Sequence, residues 1–390
     1  MDPAKPSLEL LRSLTDEHVL RALMQQRRLT RAELAAETGI SKPTVGESVR
    51  RLTETGSVVD TGQRTPGGRG RGRVGSYYAL ADDIGVALAV SIAPEGIVAE
   101  CIDAYGDTVS RADRAISRPA RPADIDDALR TATADARHGA GLTPRLAVVS
   151  AADPVDRHTG KLIQLPDAPF LLGELDPIEI LAPHIDGPVT VDNDVNWAAR
   201  AERDNAGAAL DDFAYLYLGE GLGCAIISDG EVRSGNAGLA GEIAHLVTAG
   251  PQGRALRLIE VFGELGLRQI DSTAIDVDRL LAATADSGPQ ATTTRHALGQ
   301  AISGVLAAVV ALADPELVII GGSWGSHPII LDIISTATAR LPRHAPVRAA
   351  ELTTEPSLTG VRREALNRLR SAIVTTAHRA LTEAPIETTN

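Results

Sequence analysis

Residues 30–58, TRAELAAETGISKPTVGESVRRLTETGSV, decide the fold of the N-terminal part of this chain. Thr30 and Glu33 have the spacing of a capping box, which opens a helix, and Gly39 is a typical C-terminal stop. A second helix begins after Ser41, a suitable N-cap, and continues to the next glycine. Two short helices joined by so tight a turn predict a helix-turn-helix, although spacing alone also fits an ordinary helical hairpin.

The flanking sequence favours the first interpretation. A helix from about Asp16 to Gln26 precedes the pair, and two short β runs, SVVDTG (57–62) and GSYYAL (75–80), follow it. The segment between the β runs, QRTPGGRGRGRV, interleaves glycine with four arginines and contains no acidic residue: Arg64, Arg69, Arg71 and Arg73. This order predicts a winged helix whose basic tip contacts DNA phosphates or the minor groove, with a flexible linker as the alternative.

The second helix of the motif is the predicted recognition helix. We expect five of its side chains to share the face presented to the major groove: Lys42, Thr44, Val45, Ser48 and Arg51. Serine, threonine and valine can meet phosphates and thymine methyl groups, and Arg51 is expected to position the helix on the DNA backbone. Glu47 is expected to be solvated.

The charge distribution agrees with a DNA-binding head. The 390 residues carry a net charge of −13, yet residues 1–78 hold 13 Lys and Arg against 9 Asp and Glu, a balance of +4. The remainder has a balance of −17. A small basic module on an acidic body indicates a phosphate-binding head joined to a regulatory domain.

Composition predicts a cytoplasmic protein. Hydrophobic residues make up 44% of the chain and charged residues 23%, as in soluble globular proteins. No apolar run reaches the roughly 18 residues of a membrane helix, and the N-terminus lacks the pattern of a signal peptide. The two cysteines, Cys101 and Cys224, lie in apolar stretches and are expected to be buried without pairing or binding metal.

After about Asp82, predicted strands alternate with helices, which is typical of an α/β domain. Residues 83–107 predict two strands joined by a turn at 94–96, and an Ala-rich helix follows at 123–140. Residues 187–204 predict a strand that runs directly into a helix at Asn193–Asp194. A strand, glycine-rich turn and strand at 211–232 come next, and residues 291–323 predict a long buried helix and a strand.

Four segments of this body resemble the ROK family of repressors and sugar kinases, and residues 30–58 resemble the family's repressor head. The segments are VDNDVNWAA (191–199), GEGLG (219–223), GNAGLAGEIAHL (235–246) and DPELVIIGG (314–322). The resemblance implies an actin-like ATPase fold of two lobes with a hinge near 190–195. The predicted domains are therefore a winged helix-turn-helix at 1–78 and a sugar-kinase-like sensor and oligomerisation domain at 79–390.

The same resemblance implies a sugar site. It assigns five residues to sugar hydroxyl groups, with Asp194 matching the kinase's catalytic base: Asn193, Asp194, Glu242, His245 and Glu260. Carboxylates and amides that converge on one pocket suit such recognition. The family's cysteine motif for structural zinc is missing from LVTAGPQGRALRLIE (246–260), so we expect no metal and no cofactor.

Three departures from the family pattern argue against phosphoryl transfer. Ser91 and Ala93 stand where the family kinases have the aspartate and glycine of the first phosphate loop, and Glu220 replaces the threonine of the second loop. Phosphoryl transfer depends on positioning and on neutralising phosphate charge, and a carboxylate opposes both. We therefore expect an enzymatically inactive sensor.

These observations predict a sugar-responsive repressor of carbohydrate-utilisation genes. It would bind an inverted-repeat operator as a homodimer or homotetramer and respond to a sugar or sugar phosphate. Two alternatives stay open: a working sugar kinase that carries a DNA-binding head, and a DNA-binding protein whose body only oligomerises. The sequence leaves open whether the ligand releases or promotes DNA binding.

Overall fold

The structure is a computed structural model that describes residues 8–66, 74–166, 168–207 and 210–383. Its N-terminal head has six elements: α1 (Leu8–Gln26), β1 (Arg28–Thr30), α2 (Arg31–Thr38), α3 (Lys42–Glu54), β2 (Val58–Arg64) and β3 (Ser76–Leu80). The three strands form an antiparallel sheet with β3 in the centre. Both predicted caps are present, since Thr30 Oγ1 accepts from Glu33 N at 3.2 Å and Ser41 Oγ accepts from Thr44 N at 3.4 Å. The predicted winged helix-turn-helix is confirmed.

Two details of the head differ from the sequence prediction. The first helix begins at Leu8 and not at about Asp16, because LELLRSLT contains no residue that breaks a helix. Leu10, Leu11 and Leu14 in this extension are exposed, so the apolar periodicity used for the prediction did not include them. A three-residue strand, β1, was also missed, since so short a segment has no recognisable pattern.

The first lobe of the body is a five-stranded sheet covered by helices. Its elements are β4 (Ala87–Ala93), β5 (Gly96–Ile102), β6 (Thr108–Arg114), α4 (Pro122–Ala140), β7 (Ala147–Ala151), α5 (Pro177–Leu181) and β8 (Val189–Asn193). The strand order is β6-β5-β4-β7-β8, with β4, β7 and β8 parallel. β7 is buried along its whole length and β4 except at Ala93, as expected for strands covered on both faces. The predicted hairpin at 94–96 and the predicted helix at 123–140 are confirmed.

The second lobe repeats this architecture. Helix α6 (Asp194–Ala206) leads into it, and its further elements are β9 (Phe213–Leu218), β10 (Leu222–Ser228), β11 (Glu231–Val232), β12 (Val247–Ala249), β13 (Ala255–Arg257), α7 (Leu258–Glu264), α8 (Val277–Ala285), α9 (Pro289–Ala313), β14 (Leu317–Gly321), α10 (Pro328–Thr338) and β15 (Val347–Ala349). The main sheet has the order β11-β10-β9-β14-β15. Helix α9 has the length and hydropathy of a membrane span, but half of its apolar window is buried in this lobe, where Leu298, Ile302 and Val305 belong to the core.

The last helix, α11 (Pro356–Glu383), connects the body to the head. Its first half packs on α6, and Gly360 permits the contact, since a Cβ there would lie 2.2 Å from the backbone oxygen of Trp197. Its second half packs on α1, and one apolar cluster runs through the head, the first lobe and α11. The head is therefore part of a continuous core.

Polar contacts fix the orientation of the head. Arg370 on α11 donates to the backbone oxygens of Met24 and Ala104, at 3.2 and 2.9 Å. The hydroxyl group of Tyr105 donates to the backbone oxygen of Arg27 at 3.3 Å, and Arg27 forms an ion pair of 2.6 Å with Asp107. The turn between β5 and β6 and the helix α11 thus hold the end of α1 from two sides.

We expect Gly360→Ala to destabilise the protein by about 1–3 kcal/mol, because the new methyl group overlaps a backbone atom that no side-chain rotation can move. Gly46→Ala in α3 is the matched control. No atom lies within 4 Å of its added Cβ, so it should gain about 0.5–1 kcal/mol from helix propensity. Urea denaturation midpoints of the two variants test this, and equal midpoints would contradict the close packing of α6 and α11.

Candidate functional site

A cavity of about 260 Å³ lies between the two lobes, beside the start of α6. The hairpin turn after β4 and the loop after β7 line it from the first lobe, and the turn between β9 and β10 and the loop at 238–242 line it from the second. Its polar lining side chains are Glu95, Asn193, Asp194, Asn196, Tyr217, Glu220, Glu242 and Ser323. The volume is slightly below the range of about 300–1,000 Å³ of drug-sized ligand sites, so a small polar molecule fits.

Asn193 has a structural role at the junction of β8 and α6. Its Oδ1 accepts from the backbone N–H of Val195 at 3.0 Å, which caps α6. Its Nδ2 donates to the backbone oxygens of Ala151 and Asp153, at 3.4 and 3.2 Å. The side chain therefore ties the loop after β7 to the start of α6, and it positions the neighbouring Asp194.

Three carboxyl groups in or beside the cavity are held in an unfavourable environment. Burial raises the pKa of Asp194, Glu242 and Asp153 to about 7 each, and mutual repulsion adds to the effect for Asp153 and Asp194. Asp153 is 2% exposed, and its Oδ2 has no hydrogen-bond partner. Sequence analysis missed Asp153, because a single aspartate in a loop has no distinguishing pattern.

Glycines bring the loop at 238–242 close to the sheet. Gly241 has a φ of +99°, and a Cβ there would lie 1.7 Å from the backbone oxygen of Cys224 on β10. Gly238 has a φ of +91°, with the backbone oxygen of Val155 at 2.1 Å from its added Cβ. Only glycine fits at these two positions, and the close packing holds Glu242 over the cavity.

A second cavity, of about 520 Å³, lies on the other side of the β4–β5 hairpin. Ser91, Ala93 and Asp194 line it together with the N-terminal end of α11, residues 355–358. Asp194 and the turn at 94–95 line both cavities. The start of α11 is therefore adjacent to the side chain that begins α6.

Glu220 is not an isolated charge. Its carboxylate forms an ion pair with Arg118, at 2.7 and 2.9 Å, and Arg118 Nε also donates to the backbone oxygen of Pro94 at 3.1 Å. The predicted unfavourable carboxylate is present in the turn between β9 and β10, but an arginine of the first lobe compensates its charge. The pair joins the two lobes at the edge of the cavity.

In the head, α3 presents a different face from the one that was predicted. Val45 and Ser48 are fully buried, so their prediction as DNA contacts is wrong. The apolar residues Val45, Val49 and Leu52 at helical spacing turn this face to the core, and Ser48 lies among them. The exposed side chains of α3 before its last turn are Lys42, Pro43, Thr44, Glu47 and Arg50, so Lys42 and Thr44 remain candidates.

Arg51 also has a structural partner. It forms an ion pair of 2.7 Å with Asp16 of α1, and Asp16, which is fully buried, accepts from Ser48 Oγ as well. An aspartate buried without partners would be strongly unfavourable, so Arg51 and Ser48 stabilise the packing of α1 on α3. The prediction of Arg51 as a phosphate contact is corrected accordingly. Arg69, Arg71 and Arg73 lie outside the described residues, whereas Arg64 at the end of β2 is exposed.

The sequence profile of the ROK family matches residues 87–361, and a winged helix-turn-helix DNA-binding profile matches residues 12–58. The chain belongs to the ROK family. Its ROK domain resembles two kinds of curated relatives. It is 32% identical over 184 residues to the bifunctional enzyme NanE/NanK of Brucella suis biovar 1, covering 45% of this chain and 34% of that protein.

It is also 24% identical over 183 residues to the N-acetylmannosamine kinase of Escherichia coli O127:H6, covering 44% of this chain and 63% of that protein. The chain thus spans about one third of the first relative's length and just under two thirds of the second's.

Solved structures agree with the ROK fold. A ROK family transcriptional regulator, a homologue of the E. coli MLC protein, superposes with a TM-score of 0.63 and 19% identity, covering 94% of this chain and 99% of that one. A ROK family glucokinase from Streptomyces griseus, in complex with glucose and AMPPNP, superposes with a TM-score of 0.54 and 26% identity, covering 72% and 99%. The first comparison covers the head and the body together.

Two residues of the predicted sugar site are not brought to the cavity. His245 ends a short 3-10 turn, Ile243–His245, and is not among the lining residues. Glu260 accepts from the backbone N–H of Arg257 at 2.8 Å and pairs with its guanidinium group, which lowers the pKa of Glu260. The prediction of Glu260 as a ligand contact is corrected, because its carboxylate caps α7. Among the described residues, no group of three or more His, Cys, Asp and Glu side chains is placed to hold a metal ion.

The raised pKa of Asp153 predicts a pH-dependent stability. The unfolded chain releases this proton near pH 4 and the folded protein near pH 7, so stability is lost as the pH rises between these values. The loss amounts to at most about 4 kcal/mol above pH 7. We expect Asp153→Asn to raise the melting temperature at pH 8, with a gain that shrinks towards pH 5. Differential scanning calorimetry of the ligand-free protein measures it, and a gain independent of pH would contradict the burial of a charge.

Proposed function

We propose that this ROK protein is a cytoplasmic, sugar-responsive transcription regulator that represses genes of carbohydrate utilisation. Its head would bind operator DNA, and a sugar or sugar phosphate would bind in the 260 Å³ cavity. The observation that carries the proposal is the position of α11. Its N-terminal end shares a cavity with Asp194, and further along the same helix Arg370 holds the end of α1.

Two helices that pack closely on each other connect the cavity to the head. Asp194 is the first residue of α6, α6 meets α11 at Gly360, and α11 contacts the head through Arg370. A ligand gripped from both lobes favours the closed state by its differential affinity. A movement of α6 would therefore reach the head, and a coupling of about 1–3 kcal/mol would change operator affinity roughly 5- to 150-fold.

We further propose that kinase activity is lost. Ser91 and Ala93 replace the residues with which the family's kinases orient metal and phosphates, and Glu220 takes up Arg118 in an ion pair across the lobes. The pair occupies the phosphate side of the cavity with a carboxylate and removes the nearby cation from phosphate binding. Charge neutralisation, which phosphoryl transfer needs, is then missing.

An active sugar kinase with a DNA-binding head is the second candidate. It is favoured by Asp194, which lines the cavity and whose pKa of about 7 suits a general base near neutral pH. Coupled assays of ATP consumption over a panel of hexoses and N-acetylhexosamines separate the two. Turnover that Asp194→Asn abolishes would establish the kinase, and its absence under conditions where a sugar binds supports the sensor.

A single head reads too few base pairs for specificity in a genome. We therefore propose that the body forms a homodimer or homotetramer, which places two heads on an inverted repeat. The docking of each head on its own body, through Tyr105 and Arg370, would make the spacing of the two half-sites a property of the dimer.

The wing tip should contribute mainly salt-dependent affinity. We expect replacement of Arg69, Arg71 and Arg73 by alanine to weaken operator binding and to lower the slope of log K against log salt, because fewer counterions are released. Fluorescence anisotropy at several salt concentrations measures the slope, and an unchanged slope would exclude contacts from the tip.

Thr44→Ala and Ser48→Ala are a matched pair in the same assay. Thr44 is exposed on α3, so its loss should change the sequence preference, whereas loss of the buried Ser48 should lower the stability of the head and leave the preference unchanged.

The ligand response should depend on the carboxylates of the cavity. We expect Asp194→Asn and Glu242→Gln to bind operator like the wild type but to lose at least tenfold in sensitivity to the effector, since both side chains line the cavity and neither contacts the head. Titration of operator complexes with the effector measures this, with Glu174→Gln, an exposed change in the first lobe, as the control. A wild-type response of both variants would place the sensing site elsewhere.

The absence of a thermal shift with every sugar would favour a body that only oligomerises.

A further inference from the structure

The cavity between the lobes has a marked excess of negative charge. Four acidic side chains line it, namely Glu95, Asp194, Glu220 and Glu242, whereas no Lys, Arg or His is found among the described residues of its lining. Only Glu220 is compensated, by its ion pair with Arg118 at the edge. Within the described part of the chain, no basic side chain lies within ion-pair distance of the other three.

A fifth carboxyl group lies directly behind the lining. Asp153 stands between Ala152 and Pro154, which both line the cavity, and its backbone oxygen is bonded to Asn193. It is almost completely buried, yet its Oδ2 has no partner. It is close enough to Glu242 and Asp194 for their charges to repel each other. Burying an unpaired carboxylate is costly, so this group needs a proton or a cation.

We propose that the effector is a sugar that carries a protonated amino group, and that its ammonium group lies between Asp194 and Glu242, with the carboxyl group of Asp153 directly behind them. This inference rests on the proposed sensor function of the same cavity. An ammonium group has three N–H donors and no acceptor, which complements carboxylates that no basic side chain of the described residues neutralises. A sugar phosphate is disfavoured, because its charge would meet the same carboxylates.

A divalent cation is the other species that carboxylates attract. Ca²⁺ takes about six to eight oxygen ligands, and among the described residues no group of three or more His, Cys, Asp and Glu side chains is placed to hold an ion. Mg²⁺ keeps several of its waters and is usually bound by one or two carboxylates together with substrate phosphates, which the carboxylates of this cavity would repel. An ammonium group needs only hydrogen-bond acceptors within reach. The arrangement therefore favours the organic cation.

The charges that face Asp153 determine the pH dependence. Glu242 from the loop at 238–242 and Asp194 from α6 repel it, Glu95 from the hairpin turn acts on Asp194, and the Glu220–Arg118 pair lies at the edge of the cavity. The raised pKa values of about 7 mean that Asp153, Asp194 and Glu242 are largely protonated at pH 5.5 and largely ionised above pH 7. An ammonium ligand selects the ionised form, so binding should release protons and weaken as the pH falls.

Isothermal titration calorimetry on the full-length protein tests the proposal. The probes are D-glucosamine, D-galactosamine and D-mannosamine, each compared with its N-acetyl derivative, its parent hexose and the hexose 6-phosphate. At pH 7.5 we expect one of the three amines to bind at least tenfold more tightly than its three counterparts. Between pH 7.5 and 5.5 its affinity should fall at least tenfold, while that of a neutral hexose stays within about twofold.

Two variants locate the ammonium group. Asp153→Asn should remove most of the preference for the amine and retain binding of the neutral hexose, and Glu242→Gln repeats the test should Asp153→Asn not fold. Glu174→Gln, an exposed carboxylate of the same lobe, is the control for general electrostatics and should bind like the wild type.

The alternative outcomes separate the two proposals. Tighter binding of a neutral hexose or a 6-phosphate, lost in Asp194→Asn, would overturn the amine and keep the sensor. A thermal shift with CaCl2 or MgCl2 alone that Asp153→Asn removes would show a metal site and overturn the amine as well. The absence of binding by every sugar tested would overturn the sensor itself and the amine with it.

Discussion

The backbone contact between α6 and α11 at Gly360 is the constraint on which the arrangement of the molecule depends. A helix that must lie this close to another leaves no room for a side chain between them, so the two helices move as one body. Because α6 begins in the cavity and α11 continues to the head, one pair of packed helices connects the cavity to the winged helix-turn-helix.

A charged cluster fixes the start of α11 together with Gly360. Glu100 on β5 is 1% exposed and pairs with Arg111 of β6 at 2.8 Å and with Arg362 of α11. Glu355, just before α11, pairs with both arginines. A buried carboxylate is strongly unfavourable without its charged partners, so Arg111 and Arg362 must stay next to Glu100. The cluster therefore determines where α11 crosses the sheet, and its net contribution to the free energy of unfolding is small.

Much of the fold follows from local sequence rules, and the site follows only in part. Caps at Thr30 and Ser41, the hairpin at 94–96 and the strand-to-helix junction at Asn193 are set by neighbouring residues, which is why they were predicted correctly. The DNA-facing side of α3 was predicted incorrectly because Ser48 is polar and its buried partner, Asp16, is 32 residues away in sequence.

Contacts between residues that are distant in sequence were also missed at the cavity. Asp194 and Glu242 were found through resemblance to the ROK family, and the structure brings both to the cavity. The partner of Glu220 is 102 residues away, and the repulsion at Asp153 arises from three different segments, so neither was visible in the sequence. Glu260 was assigned to the sugar site by the same resemblance, but its carboxylate accepts from the backbone N–H of the nearby Arg257. This local hydrogen bond holds the side chain away from the cavity.

The separation of buried and exposed residues on α3 has an evolutionary consequence. The residues that hold the helix in the head, Val45, Ser48, Val49, Arg51 and Leu52, alternate with the exposed ones, so the two sets occupy separate positions of one short helix. Substitutions at Lys42, Thr44 or Glu47 leave the core unchanged, and their effect on folding is small. A gene duplicate that changes only these exposed positions would therefore present a new set of side chains on α3 while keeping its stability and its docked head.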